Sequence, residues 1–349
     1  MLRKTIVVFA LITVANMSQS HDILNPPECE PHTTITAATV RDIRICPAEP
    51  DEALEIRWHN IESSLVTLHY GNKKVTSKLF LSIWEISDKG TKARSLAGDE
   101  SFSQVELLPD MIIVGTTDGK LLFWDFWQGE FLREIPVSAG EISELLLHPS
   151  NQWLLIGIDN AQHFQFDLES QSLVEIQLQG AEEVTLNTLT FSEDGHLLAG
   201  GGRGTIRIWD TGSWEEWEPQ RLPPKLVKGL QFTKDKSHLI VMADAPVSRW
   251  SLANERLTFV RELEALPDKR PCEFNDGDIS PDGSLLMTTD GCSQIRAWDL
   301  TRDAEIYIPQ LDSSNDDFPG MATLFHPDGR FLAVAEKAFL GLLYVHEDE

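Results

Sequence analysis

The stretch Phe191-Ser-Glu-Asp-Gly-His-Leu-Leu-Ala-Gly-Gly-Gly-Arg-Gly-Thr-Ile-Arg-Ile-Trp209-Asp210 decides how this chain is read. It holds a turn signal, Glu193-Asp194-Gly195, and a short apolar run, Leu197 to Ala199. A glycine-flanked turn at Arg203 follows, and then a β-prone strand that ends in an aromatic–acid pair. Asp bonds its own backbone and Gly accepts positive φ, so both turns read as tight hairpins. The same order returns in Ile279-Ser-Pro-Asp-Gly through Ala297-Trp-Asp299. An aromatic in this position recurs at Trp84, Trp124, Phe166, Trp209, Trp250, Trp298 and Tyr344, with gaps of 40, 42, 43, 41, 48 and 46 residues. Each of the last six is preceded by a turn 15 to 17 residues upstream, at Pro109, Pro149, Glu193, Lys234, Pro281 and Pro327. One period thus reads as strand a, turn, strand b, turn, strand c, loop, strand d.

On this alignment the units begin near Glu52, Ser101, Glu141, Val184, Lys225, Cys272 and Pro319, which makes seven. The seventh lacks a fourth strand. A β-prone run ahead of the first unit, Thr39 to Cys46, can fill that place and remove an open edge. The expected fold is therefore all-β: a seven-bladed β-propeller of four-stranded antiparallel blades, closed by an N-terminal strand that completes the last blade. From Thr39 to the end the repeats resemble the WD-repeat family. The resemblance implies a scaffold that binds protein partners. One departure stands out: family blades open with Gly-His, and no blade here does. The Trp N–H groups then need other acceptors, for which Thr116, Thr117, Thr288 and Thr289 are placed. That departure resembles the degenerate repeats of bacterial members.

The N-terminus reads as a secretory signal peptide over residues 1–20. Arg3 and Lys4 precede an apolar run from Ile6 to about Ala15, and small or polar residues lead to Ser20. A Pro-rich lead follows over 21–38, then the propeller over 39–349. Four cysteines, an even set, agree with export to a periplasmic or extracellular compartment. Cys272 precedes strand a of the sixth blade and Cys292 lies in its b–c turn. Both loops emerge on one face, so a Cys272–Cys292 bridge is expected, with Cys29–Cys46 as the remaining pair. The net charge of −26 becomes −28 without Arg3 and Lys4. Such a body repels nucleic acid and anionic membranes and draws basic partners or cations. Beyond the leader no apolar stretch is long enough to span a bilayer.

Propeller ligands bind at the channel mouth, where the d–a and b–c loops gather. The b–c turns there present Asp118, Asp159, Arg203, Asp244, Asp290 and Glu336, joined by Asn72, Lys73 and Lys337. Clustered acids suit a basic partner, and Ca2+ is the natural ion for such oxygen ligands. Asp is also a preferred hairpin residue, which gives each a structural role to fill. Arg203 can pair with Asp159 or Asp244, or hold a carboxylate. A second candidate patch is aromatic: Trp127, Trp214 and Trp217 fall in or beside c–d loops, where they either anchor a partner or pack on a neighbouring strand. No Gly-x-Ser-x-Gly elbow, His-Glu-x-x-His helix or phosphate-binding loop occurs. The favoured function is a non-catalytic interaction scaffold without a cofactor. The competing one is a propeller-type enzyme, lactonase- or dehydrogenase-like, that uses a rim carboxylate.

Overall fold

The computed structural model describes residues 43–48, 53–59, 64–70, 79–87, 90–99, 101–159, 162–178, 180, 186–243, 247–267, 272–292, 294–308, 320–336 and 339–345. The expected signal peptide and the whole Pro-rich lead lie outside these residues, as do Cys29, Asn72, Lys73, Asp244 and Lys337. Every ladder is antiparallel. Blade 1 is β2 (Ala53–Trp58), β3 (Ser64–Tyr70), β4 (Leu79–Ser87) and β5 (Gly90–Asp99). Blade 2 is β6 (Phe102–Leu107) to β9 (Phe131–Pro136), with β7 (Met111–Thr116) and β8 (Lys120–Asp125) between. Blade 3 runs from β10 (Ile142–Leu147) through β11 (Trp153–Ile158) and β12 (Gln162–Asp167) to β13 (Leu173–Ile176).

Blades 4 and 5 share a six-stranded sheet, β14 (Leu186–Phe191), β15 (Leu197–Asp210), β16 (Gln220–Phe232), β17 (His238–Ala243), β18 (Val247–Ala253) and β19 (Arg256–Glu262). In it, β16 pairs with β15 through Gln220 to Leu226 and with β17 through Val227 to Phe232. It thus closes one blade and opens the next. Blade 6 is β20 (Phe274–Ile279), β21 (Leu285–Asp290), β22 (Ile295–Asp299) and β23 (Ala304–Ile306). Blade 7 is β24 (Gly320–Phe325), β25 (Phe331–Glu336) and β26 (Phe339–Val345), completed by β1 (Ile43–Ala48).

The expected closure forms, displaced along the chain. β1 spans residues 43–48 where 39–46 was expected, and it runs antiparallel to β26 with Ile43 opposite Val345 and Ala48 opposite Leu340. Pro47 sits within this strand, on the edge, where a missing N–H is tolerated.

The apolar runs of the b strands explain the ring. Successive side chains of a strand point to opposite faces, so a run without polar residues needs cover on both. Ile112 joins a cluster with blade 1, and its neighbour Ile113 one with blade 3. Leu154 and Leu155 split in the same way between blades 2 and 4. Leu239 packs with blade 4 and Ile240 with blade 6. Continuing round, Met287 meets Val334 of blade 7, and Phe331 and Leu342 of blade 7 meet Trp58 and Leu65 of blade 1. Each core cluster spans two consecutive blades, and the last returns to the first. This agrees with the expected seven. A second regularity is a bulge near the start of strand a, at Ala53/Glu55, Phe102/Gln104, Ile142/Glu144, Leu186/Thr188, Val227/Gly229, Phe274/Asp276 and Gly320/Ala322. The a strands flank one another on the inside, while the d strands form the circumference.

Three of the outer strands, β5, β9 and β19, carry bulges of their own. Leu96, Leu132 and Val260 are the extra residues, opposite the steps Leu81/Ser82, Phe123/Trp124 and Arg249/Trp250. Two of these, Leu132 and Val260, are 47 and 41 % exposed and follow the exposed aromatics Phe131 and Phe259.

Deleting residues 1–48 removes the partner of β26 and leaves that strand as an open edge. The truncated chain is expected to melt at lower temperature and to scatter light in a concentration-dependent way, both measured beside the full chain. Inside blade 6, Arg296 and Glu305 form a two-pronged ion pair at 2.9 and 2.7 Å, with both side chains almost wholly buried. Glu305→Ala strands a buried guanidinium and is expected to cost about 3–5 kcal/mol in denaturant unfolding.

Candidate functional site

The b–c turns and d–a loops share one face, and backbone hydrogen bonds tie them together. Thr117 N donates to Ser101 O at 2.6 Å, Asp159 N to Glu141 O at 3.0 Å, and Gly291 N to Glu273 O at 2.8 Å. Gly119 shows how close the loops run. Its φ is +78°, and its carbonyl accepts Val137 N at 2.9 Å. A Cβ there would drive into Ser138 O. The bridge expected between Cys272 and Cys292 is formed on this face, with the Cα atoms 5.9 Å apart. The expected Cys29–Cys46 pair is outside the described side chains.

The acids on this face differ in how they are used. Asp118 accepts the Thr116 hydroxyl at 2.6 Å and faces Lys120 Nζ at 3.3 Å. The Thr116 hydrogen bond, followed by the Lys120 contact, holds its pKa below the ordinary value. Its carboxylate remains exposed. Asp159 adopts a φ of +48° and accepts Glu141 N at 3.2 Å while staying exposed. Arg203 is exposed, and no ion pair to Asp159 is formed; Asp244 and the Glu336 side chain are not among the described groups. Asp290 departs from its expected rim role. It is fully buried, and its Oδ1 accepts Cys292 N and Gln294 N, both at 3.0 Å. It shapes its turn and offers no carboxylate to solvent. The exposed acids here are Asp118 and Asp159, with Glu141 and Glu273 in the adjoining loops and Glu134 on β9 beside Lys120. These rim acids do not converge into an ion cage among the described residues, where the one metal-ligand trio is Cys272, Asp290 and Cys292.

The three tryptophans do not form one patch. Trp127 is 46 % exposed and stands edge-on to His59 at the blade 1–2 seam. Trp214 is half-buried, edge-on to Trp153 at the blade 3–4 seam, and Trp217 packs at the blade 4–5 seam. Packing is thus the main work of Trp214 and Trp217, and Trp127 alone presents a broad apolar face. The Trp indoles find the kind of acceptor expected. Trp298 Nε1 donates to Thr288 Oγ1 at 3.0 Å, Trp84 to Thr67 at 2.9 Å, and Trp250 to Ser248 at 3.0 Å. Thr116, also expected there, is taken by Asp118.

Comparison with known proteins agrees with this geometry. Residues 174–210 match the family model described as WD domain, G-beta repeat. The chain is 26 % identical over 137 residues to the small ribosomal subunit protein RACK1y of Oryza sativa subsp. japonica, covering 37 % of this chain and 40 % of that protein. It is 29 % identical over 161 residues to the protein groucho of Drosophila melanogaster, covering 44 % of this chain and 20 % of that one. The matches span less than half the length of these relatives. The β-propeller domain of Cps50 (Swd1) from Myceliophteria thermophila superposes with a TM-score of 0.69 at 14 % identity, over 87 % of this chain and all of that one. The chain has the β-propeller fold and carries a stretch similar to the WD repeat at residues 174–210.

The inner strands of the propeller hold a feature that the repeat pattern does not announce. Neighbouring a strands splay apart without a ladder, so polar side chains reach across. Asp276 accepts Thr323 N and Asp278 accepts Phe325 N of the next blade, each at 2.8 Å. Arg57 Nε donates to Glu106 Oε1 at 3.3 Å, and Gln231 Nε2 donates to Gly277 O at 3.4 Å. Burial raises the pKa of Asp276 to about 6; burial, aided by the Asp276 charge, raises that of Asp278 to about 7. The only sequence trace is an acid at the third and fifth places of Phe274-Asn-Asp-Gly-Asp-Ile279, where other blades carry neutral residues as well as acids.

Both folded-state pKa values lie above the ordinary carboxylate value, so the native state holds protons that the unfolded chain has released. Stability is then greatest below about pH 4 for these groups and is lost as pH rises through 6 and 7. Asp278→Asn keeps an acceptor for Phe325 N–H without the charge. It is expected to raise stability at pH 8 by on the order of 2 kcal/mol and to leave it near wild type at pH 4, as read by urea unfolding at the two pH values.

Proposed function

We propose that this propeller is a non-catalytic interaction scaffold in an exported compartment, and that it binds a basic protein partner across the face formed by the b–c turns and d–a loops. One observation carries the reading: Asp118, Glu141, Asp159 and Glu273 are exposed on that face, where backbone hydrogen bonds from Thr117 to Ser101, Asp159 to Glu141 and Gly291 to Glu273 pin turn to loop. A fixed acidic surface on a body of charge −26 steers a cationic partner and orders little on binding. The WD-repeat relatives support a protein-binding role. Export is supported by the charged-then-apolar N-terminus and by the Cys272–Cys292 bridge.

The test compares two variants in affinity capture from the native extract at two salt concentrations. Asp118→Lys/Asp159→Lys is expected to weaken capture at least tenfold and to flatten its salt dependence. Trp214→Ala/Trp217→Ala, if folded, is expected to capture as wild type. The reverse pattern moves the binding face to the c–d loops, and equal capture by both variants overturns the acidic face. Recovery of the processed chain from the cytoplasmic fraction alone overturns export.

A further inference from the structure

Blade 6 brings three ligand-type side chains from separate stretches of chain to one corner of the rim. Cys272 arrives on the d–a loop, Cys292 sits in the b–c turn, and Asp290 ends strand b just before that turn. Their ligand atoms all lie within 4.8 Å of one another, the single such trio among the described residues. Asp290 is fully buried and Cys272 is 9 % exposed. The carboxylate is oriented by the N–H groups of Cys292 and Gln294, and this hold does not depend on the S–S bond. Two residues beyond Cys292, the side-chain Oε1 of Gln294 is buried without a hydrogen-bond donor. The turn therefore contains an acceptor oxygen that lacks an electropositive partner.

We propose that reduction of the Cys272–Cys292 bridge turns this corner into a Zn2+ site, with two thiolates and the Asp290 carboxylate as ligands and a fourth position open. A dithiol reductant supplies two electrons. The S–S bond breaks, each cysteine takes one proton, and the reductant leaves as its own disulfide. Zn2+ then displaces the two thiol protons as two Zn–S bonds form. Zn2+ accepts sulfur and carboxylate ligands together, whereas Ca2+ and Mg2+ take oxygen ligands. The d–a loop and the b–c turn are held apart at a fixed span by their strands, so the ion replaces the covalent link with a coordinate one at the same place. The inference is independent of the scaffold reading, since it requires no partner.

The experiment uses the full chain with Cys29→Ser and Cys46→Ser, reduced without oxygen by a phosphine, which competes little for metal. Co2+ is the probe. The reduced chain is expected to bind one Co2+ with thiolate-to-cobalt charge-transfer absorption, to release it on addition of Zn2+, and to gain thermal stability with Zn2+. The oxidised chain is expected to do none of these. Asp290→Asn keeps the turn acceptor and is expected to weaken Zn2+ binding by roughly ten- to a hundredfold with the thiolate band retained. Absence of the charge-transfer band in the reduced chain overturns the site. So does a reduced chain that unfolds and stays unfolded with Zn2+. Unchanged affinity in Asp290→Asn overturns the carboxylate as ligand.

Discussion

The structure depends on one requirement: every b strand is apolar on both faces and must be covered on both. A single blade cannot meet it. Leu154 needs blade 2 while Leu155 needs blade 4, and the same division holds along the chain. An array of such blades stays unsatisfied at its ends until the last meets the first, as Phe331 and Leu342 do against Trp58 and Leu65. The pairing of β1 with β26 then fastens the seam with backbone hydrogen bonds between the first and last described strands. Burial drives the ring shut, and the ladder fixes its register.

Turn chemistry and surface chemistry are drawn from the same residues. Asp118 and Asp159 satisfy backbone or hydroxyl donors with one oxygen and still show charge to solvent. Asp290 fills a related place yet is covered by its turn and the neighbouring bridge. The difference lies in the tertiary packing over the turn. A rim that is acidic in sequence is thus only partly acidic to a visitor.

The aromatic period and the turn signals were legible in the sequence because they repeat a local rule, seven and six times over, and the closing strand was legible because the last unit lacked its fourth. The Cys272–Cys292 bridge was legible once the loops had been assigned to a face. What escaped was set by contacts between blades. Nothing local distinguishes Asp278, which supports Phe325 of the next blade, from a solvent-facing acid. Trp214 and Trp217 read as candidate anchors because their spacing breaks the repeat. Only the packing against Trp153 and the blade 4–5 core shows them half-covered. The register of β1 slipped for a similar reason: its partner strand, not its own alternation, fixes which residues pair.

The extra residues in the outer strands have a consequence for crowding. Leu132 and Val260 put greasy side chains on the perimeter, beside Phe131 and Phe259, where a straight strand would invite a neighbour to knit on. The kink each one introduces breaks the even row of amide donors and carbonyls that such knitting needs. These two greasy edges are therefore poor templates for another strand, although they are far from polar.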